Sequence, residues 1–313
     1  MSPFRTSLAV GILATGLLGG LRGFAQQAFP DAQLPMLELQ VRLDRAGFSP
    51  GEIDARSGPN TDRAWTAFAA SRGLPPTTAD VASKLEAIRA GDRAEALINY
   101  TLTDADVAGP FGPAVPTDLM KQSELPALLF TSAAEALGEK FHCTPELLTA
   151  LNPGSRFRAG DSLRVPNLAP LASAPPSATT VIVSRSGSTL TVKDETGDVI
   201  FHAPVTSGSD HDPLPIGRWT VTAITRNPVF NYNPDLFWDA NPSHAKAKIP
   251  AGPNNPVGVV WIDLSKEHYG IHGTPEPGRI GHSSSHGCVR LTNWDATRLA
   301  AMVQKGTTVI FEP

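Results

Sequence analysis

The most informative stretch of this sequence reads Tyr269-Gly270-Ile271-His272-Gly273-Thr274, continues through a loop containing Pro and Gly, and ends Ser283-Ser284-Ser285-His286-Gly287-Cys288-Val289-Arg290. No other part of the chain brings together a cysteine, several histidines, glycines and an arginine. A free thiol has a pKa of about 8.5, and the thiolate is the nucleophile. A nearby imidazole can take the thiol proton and later return it to a leaving group. The stretch therefore indicates a cysteine nucleophile assisted by histidine.

Two histidines are candidates for that base. His272 precedes Cys288 by 16 residues, so the two must meet across a fold, with residues 275–281 as the turn between them. His286 lies two residues before Cys288, and in an extended segment such residues point to the same face. Either histidine could reach the sulfur. The flanking glycines let a substrate carbonyl approach backbone N–H donors, and Arg290 offers a cationic fork for a carboxylate.

Other interpretations of these side chains also exist. A lone cysteine is often a small buried hydrophobe, which is what we expect of Cys143. His272, His282, His286 and Cys288 are four possible zinc ligands. Their spacing fits no common Cys/His zinc pattern, so we expect no metal. We expect His282 to be a solvated loop residue.

The same stretch resembles a known family. His272-Gly273-Thr274 followed by Ser285-His286-Gly287-Cys288-Val289-Arg290 is similar to the signature of the L,D-transpeptidases of the YkuD type. The resemblance extends to Ile249–Gly258, Trp261–Leu264 and Pro215–Thr220, and it covers roughly residues 179–313.

The resemblance implies a role for each residue of the signature. Cys288 would be the nucleophile and His272 the proton donor and acceptor, while the carbonyl of Gly273 would orient the imidazole. The remaining implied residues are His286 and Gly287 in catalysis and Arg290, Ser285 and Thr274 in substrate binding. The family often has Asn at the position of Arg290, although Arg also occurs there.

The resemblance also implies a reaction. The cysteine would attack a peptidoglycan tetrapeptide stem at an L,D-peptide bond and release D-Ala, and an amine of another stem would resolve the acyl-enzyme. No metal or organic cofactor would be needed. Two alternatives remain: an L,D-carboxypeptidase or cross-link hydrolase on the same scaffold, and a non-catalytic protein that binds the cell wall.

The fold class expected for the whole chain is multidomain α+β. For residues 179–313, several short β-rich runs predict a mainly-β sandwich or barrel, with the active site on loops. A hairpin is expected around Ser186-Gly187-Ser188, and residues 294–304 form the one clear helix, capped by Thr292-Asn293.

The start of the chain predicts export. Arg5 precedes an apolar, Gly-rich run that is short for a membrane span, and Gly23-Phe24-Ala25 supplies small residues for cleavage. Residues 1–25 are therefore interpreted as a signal peptide, with an uncleaved anchor as the alternative, and the mature chain is expected in the periplasm or cell wall. The formal net charge of −4 gives no reason to expect nucleic-acid binding.

Two small units are expected before the catalytic part. Residues 33–90 predict three helices and resemble a peptidoglycan-binding module in Leu39-Gln40, Gly47, Gly51, Ile53-Asp54, Gly58–Thr61 and Phe68. Residues 126–168 predict a strand at Leu128–Phe130, two helices and a closing strand at Leu163–Pro166. This order resembles a LysM module, which binds glycans, through Phe141, Leu147-Leu148, Leu151–Pro153 and Ala159–Asp161. Residues 91–125 and 169–178 are expected to be linkers.

A long segment of the catalytic part, residues 227–248, predicts an irregular loop with interleaved aromatic, Asn and Pro residues. Loops of this length in a compact unit are often functional. We expect this lid segment to cover the cysteine and grip the stem peptide with Phe237 and Trp238. The alternative is a surface loop packed by its own aromatic side chains.

Overall fold

The computed structural model describes, besides Met1, residues 29–75, 80–169 and 176–313. The predicted signal peptide lies outside the described residues, as does most of the predicted linker 169–178. Within the described ranges, no helix has the length and apolar character needed to cross a membrane. The helices are α1 (Leu34–Arg45), α2 (Pro59–Ser71), α3 (Val81–Arg89), α4 (Asp104–Val107), α5 (Leu119–Ser123), α6 (Ala133–Lys140), α7 (Pro145–Leu151) and α8 (Asn293–Met302).

The strands fall mostly in the carboxyl-terminal part. They are β1 (Leu97–Thr101), β2 (Ser162–Pro166), β3 (Thr180–Ser184), β4 (Thr189–Lys193), β5 (Val199–Pro204), β6 (Thr206–Ser207), β7 (Gly217–Arg226), β8 (Phe230–Tyr232), β9 (Ala247–Ile249), β10 (Val260–Leu264), β11 (Gly270–His272), β12 (Val289–Arg290) and β13 (Thr308–Glu312). Short 3₁₀ turns occur at Asp31–Gln33, Pro234–Leu236 and Pro277–Arg279.

Nine strands form one sheet in the order β5-β4-β3-β13-β7-β10-β11-β12-β6. Its edge strands β5 and β6 are separated by Val205 alone, so the sheet curls back on itself and is nearly closed. The expected mainly-β sandwich or barrel is confirmed. The predicted hairpin is confirmed as β3–β4, whose alternating residues Val181, Val183, Leu190 and Val192 are buried.

Helix α8 closes one side of the sheet and sits beside the strands of the functional site. Leu299 and Ala300 join the same core as the sheet residues. The hydroxyl oxygen of Thr292 accepts a hydrogen bond from the backbone N–H of Asp295 at 3.1 Å, which confirms the predicted cap.

The amino-terminal helical region is confirmed, and α1 is its centre. One face of α1 packs Leu39 and Leu43 against α2 and α3. The opposite face packs Leu37 and Val41 against the unit that contains α6, α7 and β2. The two small units therefore share a core through one helix.

The second small unit differs from the prediction. The strand that pairs with β2 is β1, antiparallel and five residues long, and it lies inside the segment 91–125 that was expected to be a linker. Leu128–Phe130, the predicted first strand, has no strand structure, because the backbone N–H of Leu128 bonds instead to the carbonyl of Ala251, 3.1 Å away. Four helices, α4 to α7, lie between β1 and β2, so α4 and the additional segment 109–131 with α5 precede the two expected helices α6 and α7. The LysM-like interpretation stays a prediction.

Buried polar contacts join the amino-terminal units to α8. Arg298 Nη2 lies 2.7 Å from Asp44 Oδ1, and the hydroxyl of Ser49 donates to Asp295 Oδ2 at 2.8 Å. Burial alone raises the pKa of Asp44, but the charges of Arg298 and His142 hold it below its ordinary value. His142 also stacks on Trp294, with ring centroids 5.1 Å apart.

Candidate active site

His272 ends the short strand β11, which is held between β10 and β12. Its partner across β10 is Trp261, and the two rings stack with centroids 5.3 Å apart and planes 16° from parallel. Nδ1 of His272 lies 2.7 Å from the carbonyl oxygen of Gly273. Because a carbonyl can only accept, the ring proton sits on Nδ1, and Nε2 is left as a proton acceptor.

The imidazole of His272 is only 4% exposed, and this burial lowers its pKa. The positive charge of Arg290 acts in the same direction, whereas the hydrogen bond to Gly273 opposes both. The result is a pKa of about 3. The ring is therefore neutral at every pH near neutrality, with the lone pair of Nε2 free.

Cys288 immediately precedes β12, whose parallel pairing with β11 aligns His272 with Arg290. Its Sγ atom lies 3.8 Å from the carbonyl oxygen of His268. Burial raises the pKa of the thiol, while a hydrogen bond from Gly270 and the charge of Arg290 work against that rise. The resting pair is thus a neutral thiol and a neutral imidazole, both opening into one cavity.

The turn that presents the cysteine is held by Ser285. Its hydroxyl donates to the carbonyl of Cys288 at 2.6 Å and accepts from the N–H of Gly208 at 2.8 Å. Gly287 has φ +101°, and a Cβ there would stand 2.7 Å from the ring of Tyr269. Only glycine fits this position without a shift.

Gly273 and Thr274 continue from His272 into a closely packed region. A Cβ on Gly273 would lie 2.2 Å from Oδ1 of Asn293, which accepts a hydrogen bond from the N–H of Val259 at 3.1 Å. The Thr274 hydroxyl is buried and accepts from the N–H of Glu276 at 3.2 Å. Thr274 therefore organises the backbone after His272.

His286 faces the lid segment. Its Nε2 lies 2.8 Å from Oδ1 of Asp239, and its ring meets Phe237 edge to face at 5.1 Å. Among the residues described, its polar partner is thus a carboxylate of the lid segment. His272 is the histidine whose free ring nitrogen suits the role of base.

Arg290 lines the same cavity as Cys288 and His272. Its Nε atom is buried and, among the described residues, has no hydrogen-bond partner. An unpaired buried donor carries a desolvation cost of about 1–3 kcal/mol. Arg290 also brings a positive charge to the cavity that it lines. This arrangement suits a carboxylate of a ligand.

The cavity around these groups has a volume of about 1020 Å³. Cys288, His272, His286 and Arg290 all line it, whereas Gly273, Thr274, Ser285 and Gly287 shape the surrounding backbone. Phe237 faces the cavity. Trp238 does not line it; it is 61% exposed and stacks on His211 at 4.6 Å.

Comparison with known proteins gives this site a family. Residues 178–311 match the family model of the YkuD L,D-transpeptidase catalytic domain. The Bacillus licheniformis protein YkuD, an L,D-transpeptidase by its name, is 30% identical over 182 residues, which are 57% of this chain and 93% of that protein. The chain belongs to the YkuD family of L,D-transpeptidases.

Other matches to the YkuD domain are shorter. The Escherichia coli protein YbiS, also named as an L,D-transpeptidase, is 46% identical over 65 residues, or 21% of each chain. Among solved structures, L,D-transpeptidase 3 of Mycobacterium tuberculosis aligns at 18% identity with a TM-score of 0.36, covering 50% of this chain and 75% of that one. A likeness of that size adds nothing to the assignment.

The sequence did not predict site roles for three residues that surround the YkuD site. Trp261 shields His272, Asp239 holds His286, and Asn293 packs against Gly273. Trp261 lies one strand away from His272, so only the register of β10 with β11 reveals the stack. The aromatic residues of segment 227–248 predicted a role beside the cysteine. Nothing in the sequence indicated that Asp239 in this segment would pair with His286.

The zinc alternative gains no geometric support in the YkuD site. Among the residues described, no three His, Cys, Asp or Glu side chains are placed to hold a metal ion. His282 lies instead near Asn60 of α2, with Nε2 and Nδ2 3.5 Å apart.

Proposed function

We propose that this protein is a peptidoglycan L,D-transpeptidase that works through a cysteine acyl-enzyme. The observation that carries the proposal is the arrangement of His272 and Cys288. His272 ends strand β11, Cys288 directly precedes the parallel strand β12, and both residues line one cavity. The hydrogen bond from Nδ1 to the Gly273 carbonyl orients the imidazole so that Nε2 can accept the thiol proton.

The reaction begins with proton transfer from the Cys288 thiol to Nε2 of His272 as the sulfur attacks a stem carbonyl. The new C–S bond forms while the C–N bond to D-Ala breaks, and the imidazolium returns its proton to the leaving amine. An amine of a second stem then attacks the thioester and releases the thiol. Backbone N–H groups around Gly287 and Cys288 stabilise the oxyanion.

The other signature residues bind and position the substrate. Arg290, which lines the cavity, pairs with a carboxylate of the donor. Ser285 and Thr274 hold the two backbone segments that contact the substrate, and His286 fastens the lid segment over it.

The proposed setting is the periplasm or the cell wall, where peptidoglycan stems and glycan strands are the partners. The three-helix unit and the second small unit, built on the strand pair β1–β2 with α6 and α7, would contribute affinity for that polymer. Asp44–Arg298 and Ser49–Asp295 connect the three-helix unit to helix α8 of the catalytic part, which supports a role of that unit beside the site.

Product analysis tests the proposal. The full chain is incubated with a disaccharide-tetrapeptide, with and without an amine acceptor, beside Cys288→Ala and His272→Gln. Transfer predicts a cross-linked product and released D-Ala, both lost in the two variants. Trimmed product alone would identify a carboxypeptidase, and binding without any product would identify a protein that only binds the wall.

A further inference from the structure

The insertion segment, residues 109–131, packs directly on the lid segment of the catalytic domain. Leu128 is fully buried in a small cluster with Tyr232 and Ile249, and Leu119 and Phe237 pack against the edge of that cluster. The backbone is also fixed, because Leu128 accepts from the N–H of Asn254 at 3.0 Å while donating to Ala251. An amino-terminal segment thus supports the hairpin β8–β9.

The insertion segment also reaches the substrate cavity itself. Thr117 and Leu119 line it together with Cys288 and His272. Thr117 is exposed and Leu119 is half-buried, so both present surface to a ligand. The cavity therefore has an arm that begins at the cysteine and ends on a segment outside the residues that match the family.

A continuous row of contacts marks the course of this arm. Asp118 Oδ1 lies 3.6 Å from His244 Nε2, and His244 Nδ1 lies 3.1 Å from the Tyr232 hydroxyl. The Tyr232 ring meets Phe237 at 5.5 Å, and Phe237 meets His286 at 5.1 Å, two residues from Cys288.

The two ends of the cavity differ in chemistry. Next to the cysteine, the lining includes ionisable side chains, namely Lys266, Glu267, His268 and Arg290. Along the arm, the lining combines apolar surface with amide, hydroxyl and imidazole groups from Thr117, Leu119, Asn231, Leu236, Asn241 and His244. Such a surface suits a ligand with methyl groups, amides and hydroxyls, whereas the ionisable end suits amines and carboxylates.

We propose that the insertion segment forms the binding site for the sugar-proximal part of the donor, with Leu119 and Thr117 as specificity-determining residues. This inference rests on the proposed function. The acyl part of the donor stays on Cys288 after D-Ala leaves, so it must extend from the sulfur into a cavity arm. Its first stem residues and the attached sugar carry the methyl, amide and hydroxyl groups that the arm accommodates.

The test compares two donors on the full chain. One is a disaccharide-tetrapeptide, and the other is a dipeptide that keeps only the reacting residue and D-Ala. Leu119→Ala should raise KM for the long donor by about fivefold, because contact along the arm is lost, and should leave KM for the dipeptide within about twofold. Thr117→Tyr, which fills the arm from an exposed position without removing a packed side chain, should do the same.

Phe111→Ala is the matched control, since Phe111 belongs to the same insertion segment, is partly exposed and does not line the cavity. It should leave the ratio of the two KM values unchanged. Equal effects of Leu119→Ala and Thr117→Tyr on both donors, or no effect on either, would overturn the inference.

A binding measurement separates this inference from the proposed reaction. In a Cys288→Ala background, calorimetry with the disaccharide-tetrapeptide should show a Kd about fivefold weaker when Leu119→Ala is added. If binding depends on Leu119 but the parent protein with Cys288 intact forms no acyl-enzyme, the proposed reaction is refuted and the binding arm is supported. An acyl-enzyme together with Leu119-independent binding, or no binding at all, would refute the arm.

Discussion

At the scale of single residues, Trp261 sets the environment of His272. The indole covers the imidazole at 5.3 Å, and burial is the largest cause of the lowered pKa of that histidine. A buried imidazole with a pKa of about 3 remains unprotonated through the whole neutral and mildly acidic range. We therefore expect the rate of acylation to show no inflection near pH 6.5, the ordinary pKa of histidine.

Replacing Trp261 by Ala tests this account. The variant admits water to His272, which raises its pKa toward 6.5, so the acid limb of kcat/KM should move upward by at least about one pH unit. Trp261→Phe keeps an aromatic ring at the stack and should behave more like the parent. The measurement is the acylation rate between pH 4 and pH 8, and an unchanged acid limb in Trp261→Ala would show that burial by the indole does not control the base.

At the scale of elements, one polar contact connects the lid segment with the turn that carries Cys288. Asp239 Oδ1 and His286 Nε2 are 2.8 Å apart. We expect Asp239→Ala to release the lid segment, raise KM for the donor by about threefold to tenfold and speed hydrogen exchange at residues 230–240. Asp235→Ala is the control, because that exposed carboxylate lies on the same segment 3.6 Å from Lys246 and does not contact His286. Equal exchange rates in Asp239→Ala and Asp235→Ala would show that the Asp239–His286 contact does not hold the lid segment in place.

The elements also show what the sequence could predict. The alternation in β3, β4 and β13 and the cap of α8 are local patterns, and they correctly predicted the mainly-β fold. Cys288 and His272 lie in one motif, so their shared cavity was expected. Strand β1 was missed because its partner β2 lies about 60 residues further along the chain, and the insertion segment between α4 and α6 has no periodicity of its own.

At the scale of the whole molecule, helix α1 is joined to α8 through an ion pair. Asp44 is fully buried, and Arg298 Nη2 lies 2.7 Å from it. Arg298→Ala leaves that carboxylate without its main compensating charge, so the free energy of unfolding should fall by roughly 3–5 kcal/mol. Urea unfolding measures the change. Arg279→Ala, which removes an exposed pair with Glu276, should cost less than about 1 kcal/mol, and similar losses in the two variants would contradict this account.

The same interface predicts a pH dependence of stability. Burial raises the pKa of Glu139 on α6 to about 8, whereas in the unfolded chain it is near 4.5. Between these values the folded state binds the extra proton, so this residue's contribution to stability is present at low pH and is lost as pH rises toward 8. Glu139→Gln removes that loss. The melting temperature of the variant relative to the parent should increase from pH 5 to pH 8, and a constant difference would rule out a buried, protonated carboxyl.

The proposed reaction requires a covalent intermediate at one of the two cysteines, Cys143 or Cys288. Cys143 is buried, and burial raises the pKa of its thiol far above the ordinary value, so it should stay unreactive. Cys288 opens into the same cavity as His272. The chemistry therefore predicts modification at Cys288 alone.

Intact mass spectrometry after incubation with a disaccharide-tetrapeptide tests this most directly, with peptide mapping and a Cys288→Ala control. The account predicts a mass gain equal to the donor minus D-Ala, mapped to Cys288 and absent from the control. An adduct on Cys143, or an equal mass gain in Cys288→Ala, would contradict it.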